Sequence, residues 1–219
     1  MKLTTNRKAG AFTLIEMIGV LAVIAILAAL LIPRVFTAIS NARVNNAAVS
    51  VETVKTALAD HYAKYGSIPV DGSTPTPTTL TLPQQQYDQI LLREAFLDKP
   101  FAVKIGDGIS DANHTRIAVV DISTLTAGGA VGAADATSGT ADASGFALAG
   151  GTTNSISGSA LVEAVITGVN VSDAHDLSER VDGLSMTATN SSSADLSGRV
   201  KYDYTAGQPT TVYVYITHR

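Results

Sequence analysis

The sequence contains no cysteine, which rules out a disulfide framework and a thiolate metal site. Any folded part must therefore be held by burial and hydrogen bonding alone. A surplus of positive charge is also missing: the formal net charge is -4 at pH 7, and a mildly acidic chain argues against nucleic acid as a partner. No nucleotide-binding loop, nucleophile and base arrangement or metal-ligand spacing stands out, so the sequence offers no enzyme signature. What the 219 residues do hold is apolar character, at 46%, enough to argue against wholesale disorder. It is unevenly spread, concentrated in the first third and in a few strand-like runs, whereas the middle is dominated by Gly, Ala, Ser and Thr.

The longest apolar run lies near the amino terminus. Phe12 through Ile32 are 21 positions with a single charge, Glu16; as a helix they span about 32 Å, close to the roughly 30 Å hydrocarbon core of a bilayer. Lys2, Arg7 and Lys8 precede the run, which favours a cytoplasmic amino terminus and export of the chain beyond the run. A plain signal anchor, or a secretory signal peptide cut near Ala28 and Ala29, shares this outline. Glu16 departs from it, because a carboxylate in a spanning helix costs roughly 2.5 to 3.5 kcal/mol on insertion scales and usually has a functional partner.

The residues Gly10-Ala11-Phe12-Thr13-Leu14-Ile15-Glu16, continued by an unbroken apolar run, resemble the leader and cleavage site of type IV pilins and type II secretion pseudopilins. The resemblance implies that a prepilin peptidase cuts on the cytoplasmic side and methylates the new amino terminus. In this family Gly normally precedes the Phe, whereas here Ala11 does, with Gly10 one position earlier, so two adjacent bonds fit. Spacing favours Ala11-Phe12, since Glu16 then lies four residues and Pro33 21 residues after Phe12, as in the family register. Cleavage there makes Phe12 the methylated residue; cleavage after Gly10 shifts both spacings by one. Loss of the leader takes the side-chain charge from -4 to -7. The family arrangement further implies that Glu16 pairs with the Phe12 ammonium of a neighbouring copy in a staggered helical array.

The resemblance divides the chain into a leader, 1-11; a transmembrane helix, 12-33; an amphipathic continuation, 34-66; and an extracytoplasmic head, 67-219. The implied fold is α+β, a long amino-terminal helix packed against a small antiparallel sheet. Pro33 removes a backbone donor and clashes with the preceding turn, so a kink is expected there. Beyond it Ala47, Val51, Val54, Leu58 and Tyr62 or Tyr65 recur at helical spacing, a stripe that needs a sheet to cover it. Gly66 is placed to end the helix and Ile68-Pro69 to force an extended exit.

In the head, Gln84 to Leu97 reads as a short helix, and Phe101-Ile105 with Arg116-Ile122 as a first hairpin. The turn between them carries Asp107, Asp111 and Asn113, a weak candidate for calcium because hard cations favour clustered oxygen ligands; the spacing fits no calcium loop and His114 reads as solvent-facing. Residues 125-160 read as an exposed Gly/Ala/Ser/Thr-rich insertion. Ala160-Ile166 and Ser172-Val181 read as short helices, the second with Ser172 as cap, Gly183 beyond its end, and Asp173, His175, Asp176 and Glu179 on a solvated face. Arg199-Tyr204 and Thr210-Ile216 read as a closing hairpin, with Val212, Val214 and Ile216 covering the long helix and Tyr213 and Tyr215 on the outer face.

These expectations describe a structural protein without a cofactor. Its partners are further copies and related pilins in a filament, prepilin peptidase, an inner-membrane assembly platform and membrane lipid, and no nucleic acid is among them. A type II secretion pseudopilus and a type IV pilus share this amino-terminal physics; absence of a disulfide leans toward the former. A membrane-tethered periplasmic binding protein or enzyme is the reading from another class.

Overall fold

The computed structural model describes residues 13-68, 86-110, 114-123, 125, 127-131 and 144-219. Their order is α1 (Leu14-Tyr65), α2 (Tyr87-Arg93), β1 (Arg116-Asp121), β2 (Ala160-Val169), α3 (Val171-Asp182), β3 (Val200-Tyr202) and β4 (Thr210-His218). The chain divides into two compact units, Met1-Ser40 and Asn41-Arg219. Within the first, α1 has its side chains almost wholly exposed and holds a window long and apolar enough to cross a membrane by length and composition. The helix runs through Pro33 without a break, and the Thr37 hydroxyl donates to the Pro33 carbonyl at 3.1 Å.

The second unit is an α+β head around one antiparallel sheet of order β1-β2-β4-β3. Helical spacing along the second half of α1 buries Val44, Ala47, Val51, Val54, Leu58 and His61. Against that stripe lie Ile117 and Val119 of β1, Val162, Ala164 and Ile166 of β2, and Val212, Val214 and Ile216 of β4, as period-two alternation dictates. Burying a Val, Leu or Ile side chain stabilises by about 1.5 to 3 kcal/mol, which is how a chain without disulfides holds its head. Gly66 ends α1 with φ 74°, its N-H bonded to the Tyr62 carbonyl at 2.7 Å, as the sequence leads one to expect.

Ala160-Ile166 is not a helix but the start of β2, a central strand. A strand flanked on both sides and covered on both faces needs an almost continuous apolar run, and period two is then erased from the sequence. Phe101-Ile105 does not form a strand either, so the expected first hairpin is absent: β1 pairs with β2, and Phe101, Val103 and Ile105 alternate into the core without a ladder partner. Asp88 takes up the Phe101 N-H instead. Of the helix expected over Gln84-Leu97, the described residues 86-97 hold α2 alone, while Gln84 and Gln85 lie outside the described residues; α3 starts one residue early with Asn170 as its N-cap rather than Ser172, and Gly183 is its C-cap.

The sheet's second face is also covered. Phe146 and Ile156, from the stretch read as an exposed insertion, pack with Ala118, Leu161, Val165 and Tyr213 in a second apolar cluster. Tyr213 is therefore fully buried and Tyr215 half-buried, not set on an outer face. Asn154 organises the cover: its Oδ1 accepts from the Phe146 and Ile156 N-H groups and its Nδ2 donates to the Ile156 carbonyl. Lys201, buried, reaches through the cover to donate to Ser144 Oγ at 3.1 Å and the Gly145 carbonyl at 2.8 Å.

Candidate functional site

The charge in the apolar half of α1 is engaged locally. Thr13 precedes the first helical residue, and both its N-H and its hydroxyl donate to Glu16 Oε2, at 2.8 and 2.7 Å. The Glu16 N-H points back at Thr13 Oγ1, at 3.3 Å, and the Met17 N-H bonds the Thr13 carbonyl. This is a reciprocal capping box, Thr at the N-cap and Glu at the third helical position. It places a carboxylate over the positive end of the helix dipole, with both Thr13 donors on Oε2. The pattern T-x-x-E was visible in the sequence, yet Thr13 carried no assigned role there.

Gly10, Ala11 and Phe12, the expected cleavage and methylation positions, lie outside the described residues, one residue from this box in sequence. Residues 6-32 match the prokaryotic N-terminal methylation motif. The segment is of the prepilin type. It is the hallmark of type IV pilins and pseudopilins, whose subunits are structural proteins processed by prepilin peptidase. No curated protein sequence and no solved structure matches the chain.

The other sequence candidates scatter. Asp107 in the polar turn is occupied by protein donors: its Oδ1 accepts from the Ile109 N-H at 3.0 Å and its Oδ2 from the Thr167 hydroxyl at 2.5 Å. Asp111 and Asn113 lie outside the described residues. Among the described residues no group of three or more His, Asp or Glu side chains could hold a metal ion. Asp173, His175, Asp176 and Glu179 succeed one another along α3, and His175 Nδ1 meets the Tyr202 hydroxyl at 3.4 Å.

One polar constellation escaped the sequence reading. His61 of α1 is fully buried, its Nδ1 2.6 Å from Glu94 Oε2 and its Nε2 3.0 Å from the Tyr87 hydroxyl. A carboxylate only accepts, which assigns the proton to Nδ1 and leaves Nε2 to accept from Tyr87. The imidazole also meets the rings of Tyr65, Tyr87 and Phe96 at centroid distances of 4.9, 5.8 and 5.9 Å. Burial drives the Tyr87 phenol well above its usual range, so it stays a donor. The cluster ties α2 to α1 and has no opening to solvent at His61 or Tyr87, so it reads as a fastening. Its signal was there: His61 falls on the buried stripe, three after Leu58 and seven after Val54.

Proposed function

We propose that the chain is the structural subunit of a type II secretion pseudopilus, cut between Ala11 and Phe12, methylated on Phe12 and assembled into a helical filament with copies of itself and related pilins. The match of residues 6-32, with one acid inside the apolar helix, carries this reading. In it the precursor sits in the bacterial inner membrane with its head in the periplasm, and an assembly platform withdraws the processed protein into the filament. The role calls for no cofactor and no catalysis. A type IV pilus subunit shares the motif, the apolar helix and its acid; the absence of cysteine favours the pseudopilus.

Glu16 is the assembly residue. While the subunit waits in the membrane, Thr13 supplies two donors to Oε2 and lessens the cost of the buried charge. On assembly the remaining oxygen accepts the ammonium of a neighbour's Phe12, and two charges buried together neutralise one another. Removing one partner strands the other at a cost of about 3 to 5 kcal/mol. Pro33, with one backbone donor fewer, is where α1 bends as copies pack.

The test is the mass of the mature amino-terminal peptide together with the yield of sedimentable polymer. A peptide beginning with methylated Phe12 is expected. An intact leader, or a cut near Ala28, would support a membrane-tethered binding protein or enzyme instead. Glu16→Ala and Glu16→Gln are expected to be processed normally and to be missing from polymer; polymer of normal yield from either variant would overturn the pairing.

A further inference from the structure

Charge in the head is divided across the sheet. α2 packs on β1, at one edge, and α3 packs on β3, at the other. α1 lies between them with a groove on each side: one is lined by Ser50, Thr53 and the segment 97-102, the other by Thr53, Thr56, Arg180 and Arg199. α3 carries Asp173 and Asp176, both half-buried, and Glu179, exposed, at helical spacing, with Arg180 as its one Lys or Arg; the Arg180 guanidinium donates to the Asn41 carbonyl of α1 at 3.3 Å. On the opposite side, Arg93, Lys99 and Lys104 are exposed with Asp98 as their only exposed acidic neighbour between residues 93 and 105. Glu94, in the same stretch, is committed to His61. Partial burial, with repulsion from Asp173 and Glu179 added and attraction to His175 and Arg180 opposing it, raises the Asp176 carboxyl.

We propose that these two flanks dock on one another between copies, the acidic face of α3 of one subunit against the basic 93-104 segment of the next. The occupant of each surface is a second copy of this chain. Because the surfaces differ and lie at opposite edges of one sheet, the contact is head-to-tail and stays open at both ends, the interface type that builds helical polymers rather than closed dimers. Opposite fields across such a contact steer encounter and fix register more than they add raw affinity. The contact therefore adds, to the single Glu16 pairing in the apolar half of α1, a means of setting which side of one head meets which side of the next.

The inference rests on the filament reading, and the experiment separates the two. The chain has no cysteine, so the pair Asp176→Cys with Lys99→Cys, in full-length processed protein, is a clean probe of distance between copies. Oxidation of polymer from the doubly substituted chain is expected to give ladders of linked subunits, while Asp176→Cys or Lys99→Cys alone gives none. Dimers from either single variant would mean like faces meet, and would overturn the head-to-tail contact. In parallel, Asp176→Lys with Glu179→Lys is expected to lower polymer yield about tenfold, since like charges across an interface are strongly disfavoured. Adding Arg93→Glu and Lys99→Glu to the same chain is expected to restore it; a lasting loss in the fourfold variant, with processing and head folding intact by protease resistance, would overturn the charge pairing. Unsubstituted protein that is processed but forms no polymer at all would overturn the filament reading itself, and this contact with it.

Discussion

Ala95 holds a left-handed backbone, φ 61°, the only non-glycine residue among those described to do so. The reason lies in how α2 ends. The Phe96 N-H returns to the Leu91 carbonyl at 2.9 Å and the Ala95 N-H to the Leu92 carbonyl at 3.2 Å, the paired bonds of a Schellman turn whose left-handed position is normally glycine. Alanine is retained there at a cost, because its Cβ crowds the backbone, and the turn in exchange delivers Glu94 and Phe96 to His61. Ala95→Gly is expected to stabilise the head by about 1 kcal/mol, the relief of strain exceeding the added freedom of the unfolded chain. For a head of this size that corresponds to a rise in Tm of roughly 2 to 4 °C, measurable by thermal unfolding in detergent. An unchanged or lower Tm would show that the turn is relaxed as it stands. At Gly198 the opposite holds: a Cβ would come within 2.5 Å of Asp182 Oδ2, the carboxylate that accepts the Arg199 and Val200 N-H groups, so Gly198→Ala is disruptive.

Among the elements, β1 is an edge strand with no strand on its outer side among the described residues, so its outer backbone groups call for other partners. Buried Asp88 of α2 is one, accepting hydrogen bonds from the backbone N-H groups of Phe101 and Ile117, so a carboxylate caps what another chain would otherwise pair with. Burial pushes the Asp88 carboxyl above its ordinary range, with the backbone donors pulling the other way. An acid whose folded pKa is raised binds its proton more tightly in the native state than in the unfolded state. Its stability contribution is therefore full below the unfolded value, about 3.9, and is lost as pH rises through the folded one. The difference in unfolding free energy between wild type and Asp88→Asn is expected to fall over that interval and level off above it, which denaturant titrations at several pH values can track. A difference independent of pH would mean that Asp88 titrates alike in both states. Several elements of the head were hard to read from the chain because their signals were cancelled by context. Phe101, Val103 and Ile105 alternate like a strand, yet the Phe101 N-H goes to a side chain. The run Ala160-Val169 lacks alternation because both faces are buried, and a stretch of Gly, Ala, Ser and Thr hides Phe146 and Ile156, the two side chains that close the second core. What was legible rested on contrasts that burial preserves: the α1 stripe, Gly66, the β3-β4 hairpin, and one acid in an apolar run.

For the molecule as a whole, the absence of cysteine turns from a structural deficit into an experimental advantage. Two apolar clusters on the two faces of one sheet replace the staple, and β4, the last strand of the sequence, lies inside the sheet between β2 and β3 rather than at an edge. The placement of charge along the chain sets its expected orientation, since Lys2, Arg7 and Lys8 precede the apolar run, a pattern that favours a cytoplasmic amino terminus. Leu184, just beyond α3, is 79% exposed and offers a reporter in the head. In cells lacking prepilin peptidase, with the outer membrane permeabilised, a single cysteine at Leu184→Cys is expected to react with a membrane-impermeant maleimide. Lys2→Cys is expected to react only after the inner membrane is opened. The reverse pattern would place the head in the cytoplasm, where no filament could draw it outward, whereas labelling of both would mean that the apolar run fails to span. The leader's three positive charges are what the outcome depends on, so replacing Lys2, Arg7 and Lys8 together with neutral residues is expected to mix the two orientations.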